Sequence, residues 1–263
     1  MKILVTVSEV AELVDGFTVE ETRISEGDLE YDLNEWDDYA IETAVQLAES
    51  AIADEVVSVT IGPERAEETV RIALAKGVDR AIRVWDDSLE GELLDPGMKS
   101  ELLSPIVEDE APDLVLTGAQ SGDDNFGATG VTLADEIDYE HAAIVNDLEL
   151  QDGEDTVSVH RELEGGLEEH TEVELPAVFT IQTGINEPRY ASLRGIRQAQ
   201  RKEIRSQTLD DIGMSASAAN SSLTIKEMYE PESESNVTLY EGDPAETANH
   251  LTATLEKLGV FDR

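Results

Sequence analysis

The sequence contains no cysteine, and positive charge is scarce, with 18 lysine and arginine residues against 60 acids in a chain of 263 residues. Without cysteine the chain can form no disulfide framework, thiol nucleophile, Cys-ligated metal or iron–sulfur centre, so any redox role requires a bound organic cofactor. The formal net charge of −42 argues against nucleic acid or an anionic membrane as the main partner, because phosphate binding depends on lysine and arginine.

Long apolar runs are also missing. No stretch approaches the roughly 20 apolar residues that a membrane-spanning helix needs. The first ten residues, MKILVTVSEV, have the pattern of a strand and lack the charged leader and small-residue cleavage site of a signal peptide. We therefore expect a soluble, cytoplasmic protein that is not embedded in a membrane.

The excess of acid has a consequence for the solvent. Self-repulsion of this size opposes the compact state unless salt screens it, and near molar salt the Debye length falls to about 3 Å. The acids are spread along the chain among apolar residues, which favours a solvated acidic surface over a disordered acidic tail. The composition therefore predicts a high-salt cytoplasm, as in halophiles that accumulate salt.

Strands alternate with helices in the first half of the chain, which predicts βαβ units around a parallel sheet. Apolar, β-branched runs predict strands at Lys2–Val7, Glu55–Ile61, Asp79–Val84 and Asp113–Thr117. Helical apolar spacing predicts helices at Trp36–Ala51, Glu64–Ala75, Met98–Glu108 and Gly127–Ile137. Between the first strand and the first helix, Arg23–Leu33 alternates polar and apolar residues around Gly27 and predicts a small hairpin.

The pattern changes after Ile137. Strands are predicted at Ala143–Leu150, Asp155–Leu163, Glu169–Glu174 and Ala177–Thr183, with turns at Asp152-Gly153 and Gly165-Gly166. These strands extend the sheet in antiparallel fashion, a common addition to such folds.

The C-terminal part has a different composition. The segment Ser206–Pro231 is rich in serine, alanine and asparagine and predicts a linker or arm, in which Leu223–Tyr229 has the pattern of a strand. A helix is predicted at Asp243–Leu258. We therefore divide the chain into an α/β domain, residues 1–205, and an arm, residues 206–263, that packs on a partner.

A glycine-rich loop, residues 118–130 (GAQSGDDNFGATG), follows one predicted strand and leads into a helix. In an open α/β sheet this is the carboxyl end of a strand, where ligands bind, and the helix N-terminus offers N–H groups to a phosphate. Asp123 and Asp124 either accept from ribose hydroxyls or cap the helix. The loop matches no established phosphate or nucleophile motif, and an ordinary helix-entry loop accounts for its composition equally well.

Two further features allow either a structural or a functional interpretation. Trp36 either stacks on a planar ring or anchors the core with Asn34 as helix cap, and the second is favoured. Glu162, beside the turn at Gly165-Gly166, is either simply a strand-end acid, which is favoured, or the ion-pair partner of another chain. No metal site is predicted, because the histidines show no ligand spacing; they are His141, His160, His170 and His250.

Residues 186–205 (NEPRYASLRGIRQAQRKEIR), here called the basic window, hold a third of the positive charge. Leu193, Ile196 and Ala199 have helical spacing, so one side is apolar and the other cationic. This pattern favours a docking element over a surface helix that happens to be basic. Its cations are Arg189, Arg194, Arg197, Arg201, Lys202 and Arg205.

Three blocks in this order, residues 161–167 (RELEGGL), 175–178 (LPAV) and 186–193 (NEPRYASL), resemble the small (β) subunit of electron-transfer flavoproteins, including its nitrogen-fixation-type relatives. The resemblance covers nearly the whole chain, and the Asn-Glu-Pro-Arg-Tyr block is its most specific part. It implies an adenine-nucleotide-binding α/β fold with flavodoxin-like layering, a mostly parallel sheet flanked by helices, added antiparallel strands and a C-terminal arm.

The resemblance also implies a heterodimer with a larger subunit that holds most of one FAD, while the small subunit buries a nucleotide, usually AMP. The positions that match the family's cofactor-binding residues are Thr6, Asn34, Glu35, Trp36, Asp37, Ile61, Gly118, Ala119, Gln120, Ser121, Gly122, Asp123, Asp124, Asn125, Phe126, Gly127, Ala128 and Thr129. Trp36 matches a position close to the flavin.

Partner contacts are implied as well. Glu162 matches an acid that pairs with an arginine of the large subunit, and Leu193 matches the leucine that anchors the family on its dehydrogenase partners. Residues 186–200 would then form the recognition loop, with Ile196, Arg194 and Arg197 beside the anchor. The implied role is an electron carrier, not an enzyme, that takes electrons from dehydrogenases such as those oxidising acyl-CoA and delivers them to a membrane quinone oxidoreductase.

Departures from the family keep alternatives open. Arginine and glutamine replace the family's lysine-rich run after Leu193, and Glu35 stands where the family usually has proline. Some relatives bind a second FAD instead of AMP and bifurcate electrons; Thr129-Gly130 resembles the AMP form, and residues 123–127 match neither form. The alternatives of another class are a stand-alone adenine-nucleotide-binding or adenylating enzyme and a structural subunit with an empty nucleotide site.

Overall fold

A nine-stranded mixed sheet lies at the centre of the computed structural model, which describes residues 1–151, 153–215, 221–230 and 237–260. The strands are β1 (Lys2–Thr6), β2 (Glu9–Leu13), β3 (Val19–Glu20), β4 (Arg23–Ile24), β5 (Leu29–Leu33), β6 (Glu55–Ile61), β7 (Arg80–Val84), β8 (Leu114–Gly118), β9 (Glu140–Glu149), β10 (Thr156–Leu163), β11 (Leu167–Glu174), β12 (Ala177–Ile181) and β13 (Ile204–Gln207). The helices are α1 (Glu35–Glu49), α2 (Glu67–Lys76), α3 (Pro96–Glu110), α4 (Thr129–Glu136), α5 (Leu193–Ala199) and α6 (Pro244–Lys257).

The strand order is β11-β10-β9-β12-β8-β1-β6-β7-β13. All neighbours from β9 to β13 pair in parallel, while β9, β10 and β11 form an antiparallel meander. The predicted α/β class is therefore confirmed, including the mostly parallel sheet and the added antiparallel strands. The helical crossovers at α1, α2 and α3 allow the parallel pairing.

Helices cover both faces of the sheet because successive strand residues point to opposite sides. In β1, Ile3 and Val5 pack with apolar residues of α1 and α2, whereas Leu4 packs with those of α3 and α4. All three side chains are fully buried. The two apolar layers leave the carboxyl ends of the central strands free to form a site.

The predicted hairpin at Arg23–Leu33 is wrong. In the structure, β4 pairs with β3 and β5 pairs with β2, forming two separate two-stranded ribbons. A 3₁₀ turn at Glu26–Asp28 separates β4 from β5. The run Glu9–Leu13 supplies the partner strand of β5, and the sequence patterns assigned no strand there.

The chain beyond residue 205 contributes to the sheet. Strand β13 spans the predicted boundary at 205/206 and pairs with β7, and Leu209 is buried. Ser221 and Ser222 donate hydrogen bonds to Asp95 at the N-terminus of α3. The backbone N–H of Met98 also donates to Asp95, and together these hydrogen bonds lower the pKa of Asp95 to about 2. One compact unit accordingly runs from Met1 to Met228, and the predicted strand at Leu223–Tyr229 does not form.

The second unit, Tyr229–Arg263, contains the predicted C-terminal helix as α6. Asp243 and Glu246 form a reciprocal capping box at its start. Asp152 of one predicted turn and residues 216–220, 231–236 and 261–263 of the predicted arm lie outside the described residues. No helix in the described ranges is long and apolar enough to span a membrane.

Candidate functional site

A cleft of about 300 Å³ lies at the carboxyl ends of β1, β6 and β8. Most of the predicted cofactor-binding residues line it, namely Thr6, Asn34, Asp37, Ile61, Gly118, Ala119, Gln120, Ser121, Asp123, Asp124, Gly127, Ala128 and Thr129. Five others do not: Glu35, Trp36, Gly122, Asn125 and Phe126. The sequence analysis missed the rest of the lining, Val7, Ser8, Glu9, Val59, Glu92, Leu93, Leu94, Lys99, Leu103 and Thr117.

Asp37 connects the strands that form the cleft. Its buried carboxylate accepts from the N–H of Ser8 at 2.7 Å and from the N–H of Gly118 at 2.9 Å. Burial raises the pKa of Asp37 to about 6, although these hydrogen bonds oppose the shift. One side chain from the start of α1 therefore fixes the chain positions that follow β1 and end β8.

Asn34 holds the glycine-rich loop. It occupies the N-cap position of α1, but its side chain makes no cap hydrogen bond. Instead its amide donates to the carbonyl of Gln120 at 2.9 Å and accepts from the N–H of Gly122 at 3.3 Å. The side chain is almost completely buried. Asn34 thus orders the cleft wall and does not take the predicted capping role.

Two positions at this site leave no room for a side chain and therefore require glycine. A Cβ on Gly118 would lie 2.6 Å from Oδ1 of Asp37 and 2.7 Å from Cβ of Trp36. A Cβ on Gly130 would lie 2.5 Å from the hydroxyl of Thr117. Such distances are far shorter than van der Waals contacts, so any side chain here displaces the helix that approaches the strand end. The loop therefore depends on glycine at both of its ends.

Both acids of the loop accept hydrogen bonds from other residues of this chain. Asp124 accepts from Nζ of Lys99 at 2.6 Å and from the N–H of Phe126 at 3.0 Å. Asp123 accepts from the hydroxyl of Ser121 and from the N–H of Asp124. Neither acid caps α4. Lys99 was not predicted because it lies within α3, far from the loop in sequence.

The N-terminus of α4 forms one side of the cleft. Its N-cap residue is Ala128, which has no side-chain acceptor, so the first N–H groups of the helix lack a side-chain cap. Ala128 and Thr129 both line the cleft. Uncapped N–H groups and the positive end of the helix dipole favour an anion at this position.

Trp36 lies beside the cleft without lining it. Its indole N–H donates to Oε1 of Gln182 at 3.1 Å, and the ring is partly exposed. This hydrogen bond joins the start of α1 to the residue that follows β12. The ring is anchored at its nitrogen while part of its surface stays accessible.

Glu162 lies on the hairpin formed by β10 and β11, away from the cleft. Its side chain is exposed, and its residue pairs directly with Glu168 of the neighbouring strand. Within the described part of the chain Glu162 forms no ion pair.

The basic window divides into structural and exposed cations. Arg189 donates to Glu42 and Glu49 on α1, with ion-pair distances of 2.8 and 2.6 Å. Lys202 donates to the carbonyls of Leu74 and Val78 at the end of α2, and burial lowers its pKa. Arg205 pairs with Asp109. These cations anchor the window on the domain. Within the described residues, Arg194, Arg197 and Arg201 are the cations of the window whose side chains form neither an ion pair nor a hydrogen bond.

Helix α5 presents apolar side chains to solvent. Leu193 is 79% exposed, Ile196 is 44% exposed and the preceding Tyr190 is 97% exposed. Ser192 caps the helix through the N–H of Gly195, whose ideal Cβ would lie 2.2 Å from the carbonyl oxygen of Ala75. This close approach seats α5 on α2 with Leu193 pointing outward. Tyr190 adds to the apolar patch, although the sequence analysis did not assign it to docking.

Comparison with known proteins shows to which family the chain belongs. The family described as Electron transfer flavoprotein domain matches residues 22–212. The chain belongs to this family, and the relatives it matches are beta subunits. The electron transfer flavoprotein subunit beta of Methylophilus methylotrophus is 45% identical over 254 residues, covering 94% of this chain and 95% of the relative. The human subunit beta is 32% identical, with 98% of each chain covered, and that of Bacillus subtilis is 32% identical, with 97% covered.

The match to the electron transfer flavoprotein family includes most of the features described above. It spans α1, the glycine-rich loop, the hairpin that carries Glu162 and the exposed helix α5. Thr6 and α6 lie outside the matched residues, but the alignments with the beta subunits cover nearly the full length of the chain.

Proposed function

We propose that this chain is the small subunit of a heterodimeric electron transfer flavoprotein. The complex carries electrons from dehydrogenases, such as those that oxidise acyl-CoA, to a membrane quinone oxidoreductase. The large subunit holds most of one FAD, and this chain performs no bond chemistry itself. The observation that carries the proposal is the cleft at the carboxyl ends of β1, β6 and β8, which belongs to a chain of the beta-subunit family.

AMP is the proposed occupant of the cleft. The volume of about 300 Å³ is at the lower end of small-molecule sites, which span roughly 300–1,000 Å³. A mononucleotide suits this size, whereas FAD is more than twice as large and would extend beyond the cleft. The phosphate would lie at the uncapped N-terminus of α4, close to Lys99.

Three other features are proposed to contact the large subunit. Glu162 would pair with an arginine of the large subunit and steady its flavin domain, and the partly exposed ring of Trp36 would lie near the flavin. The second unit carries exposed apolar side chains, including Leu239, Leu251 and Leu258. A surface of this kind suits packing on the large subunit.

The composition supports a further part of the proposal, a cytoplasm of high ionic strength as in halophile-type proteins. The net charge of −42 requires screening, and the ion pairs within the described residues engage only part of the 60 acids. Removal of salt from the purified protein tests this point.

The proposed function is tested by co-expressing the chain with a gene for the large subunit. The purified complex should be yellow, should be reduced by a dehydrogenase with its substrate, and should release one FAD and one AMP on acid treatment. Two FAD molecules and no AMP would indicate the bifurcating form instead. A colourless complex that a dehydrogenase cannot reduce would contradict the carrier role, and turnover of ATP by the chain alone would favour the adenylating alternative.

The substitution Gly118→Ala should empty the cleft of nucleotide. The new methyl group would collide with Asp37 and Trp36 and displace the start of α1, which removes the hydrogen bond between Asp37 and residue 118. We expect the AMP content of the purified complex to fall at least about tenfold, the equivalent of about 1.4 kcal/mol. Released AMP is measured by chromatography after acid treatment.

Gly122→Ala is the matched control for this experiment. A Cβ on Gly122 meets no atom within 4 Å, and this residue does not line the cleft. The control should keep its nucleotide. Equal AMP content in both variants would show that the contact between Gly118 and α1 is not needed for binding.

A further inference from the structure

Two histidines and a glutamate meet on one face of the β10–β11 hairpin. The side-chain ligand atoms of His160, Glu168 and His170 all lie within 4.8 Å of one another. The two imidazole rings are stacked, with centroids 4.3 Å apart and an angle of 17° between their planes. Among the described residues this is the one group of three or more histidine and acidic side chains with such spacing.

The hairpin register creates the cluster. His160 of β10 pairs directly with His170 of β11, and Glu168 precedes His170 by two residues, which places all three side chains on the same face. The turn contains Gly165 and Gly166, with φ values of 82° and 74° that favour glycine. The turn therefore fixes which residues face each other. Linear spacing gave no indication of a site because the ligands converge across two strands.

The distance between Nε2 of His160 and Oε2 of Glu168 is 3.6 Å. It is too long for a hydrogen bond, and this buried nitrogen has no hydrogen-bond partner. Two donors on one tetrahedral zinc ion, each about 2.1 Å from the metal, lie roughly 3.4 Å apart. The observed separation is therefore close to the spacing of two ligands that share a metal ion. Because the stacked imidazoles have nearly parallel planes, the rings must turn about their Cβ–Cγ bonds before both lone pairs point at one ion.

We propose that His160, Glu168 and His170 bind a divalent transition metal ion, with zinc as the occupant. Two imidazoles and one carboxylate form a donor set that suits zinc, whereas magnesium and calcium prefer oxygen ligands. Water would complete the tetrahedron at the exposed side of the hairpin. This site is separate from the nucleotide cleft, and the proposal does not depend on the flavin.

The surrounding charge favours a cation. Asp147 of β9 pairs with His160 on one side, and Glu162 pairs with Glu168 on the other. Both acids are within the range of Coulomb attraction to a bound metal ion. A metal held by His160 and His170 would also connect β10 to β11, the edge strand of the sheet, and would offset the repulsion between Glu162 and Glu168. The site is therefore expected to brace the hairpin.

The test uses the heterodimer, stripped of metal by dialysis against a chelator. Zinc is titrated in competition with a chromophoric chelator, in concentrated KCl with excess Mg²⁺, so that magnesium occupies sites made only of carboxylates. We expect one tight zinc equivalent in the unsubstituted complex. His160→Gln and His170→Gln should each weaken it at least about tenfold, since loss of a mere supporting contact costs 10–100-fold.

His250→Gln is the control, because it removes a histidine of α6 and leaves the cluster intact. Glu168→Gln provides a further variant, since the Glu168 side chain is 66% exposed and its loss cannot disturb the core. Cobalt gives a second readout, because a tetrahedral cobalt site produces intense visible absorption bands. Equal zinc affinity in the His160, His170 and His250 variants, or no tight equivalent in the unsubstituted complex, would overturn the proposal.

Discussion

Dialysis of the protein from molar KCl into dilute buffer is expected to unfold it, beginning at the β9–β11 end of the sheet. The net charge is −42, and its self-repulsion is strongly screened only when the Debye length is short. That length is about 3 Å at 1 M salt and about 10 Å at 0.1 M. Lowering the salt concentration therefore restores repulsion between acids that are neighbours on the surface.

Within the sheet, the hairpin should respond first because it combines an excess of acids with a position at the sheet edge. Residues 155–174 carry seven acids and one arginine, and Glu162 directly opposes Glu168 across the strands. Two like charges about 5 Å apart in water repel by roughly 0.8 kcal/mol. Like charges in directly opposed positions destabilise an antiparallel pair. By contrast, β1 and β8 in the centre of the sheet are buried and apolar, so they should be the last to open.

Circular dichroism and amide hydrogen exchange would follow the transition as KCl is removed. We expect the amides of β10 and β11 to lose protection before the helix signal falls. Sucrose at matched osmolarity is the control, since it favours compact states without screening charge. If screening is the cause, KCl restores the fold and sucrose does so only weakly. An unchanged spectrum and unchanged exchange in dilute buffer would remove the basis for a high-salt cytoplasm.

The parallel part of the fold was predictable because local signals agreed there. The run at Glu55–Ile61 is β-branched and ends at Gly62-Pro63, and the structure forms β6 over the same residues. Strand β13 was missed because Ile204–Gln207 is mostly polar and reads as part of a basic segment. Its place at the sheet edge comes from pairing with β7, a tertiary contact that local pattern does not encode. The hairpin at Arg23–Leu33 failed for the same reason, since the partner of β5 lies earlier in the chain.

The cleft was predictable where it is built from one continuous loop. The glycines in residues 118–129 predicted a ligand-binding loop, and most of these residues line the cleft. Lys99 reaches the same cleft from the start of α3, and Glu92–Leu94 reach it from the residues before that helix, where no glycine-rich loop marks a site. The cluster of His160, Glu168 and His170 could not be predicted on similar grounds, since His160 and His170 become neighbours only through the hairpin register.

In the structure, the basic window does not form the single cationic surface that the sequence suggests. Arg189 and Lys202 are partly buried and hold the window against α1 and α2. The Glu42 partner of Arg189 has a side chain that is only 6% exposed, so this pair serves the fold. What projects from the domain is the apolar patch of Tyr190, Leu193 and Ile196, with the arginines at its rim.

Leu193→Ala is therefore expected to slow electron transfer from the dehydrogenase more than removal of any single arginine of the window. Truncation of a central apolar anchor typically costs about 2 kcal/mol or more of binding free energy, roughly a 30-fold loss of affinity. Because Leu193 is 79% exposed, the change should leave the free energy of unfolding within about 0.5 kcal/mol. The measurement is the rate of flavin reduction as a function of the concentration of the complex, with the reduced dehydrogenase as donor.

Arg194→Ala and Arg197→Ala are the comparison variants, and Leu13→Ala controls for the loss of an exposed leucine elsewhere, on β2. The arginine variants should have small effects that fade as KCl rises, because a short Debye length screens rim charges. The Leu193 effect should persist in molar KCl, since burial of apolar surface does not depend on charge. If an arginine variant instead had the larger effect at high salt, the patch would act through charge, and Leu193 would not be its anchor.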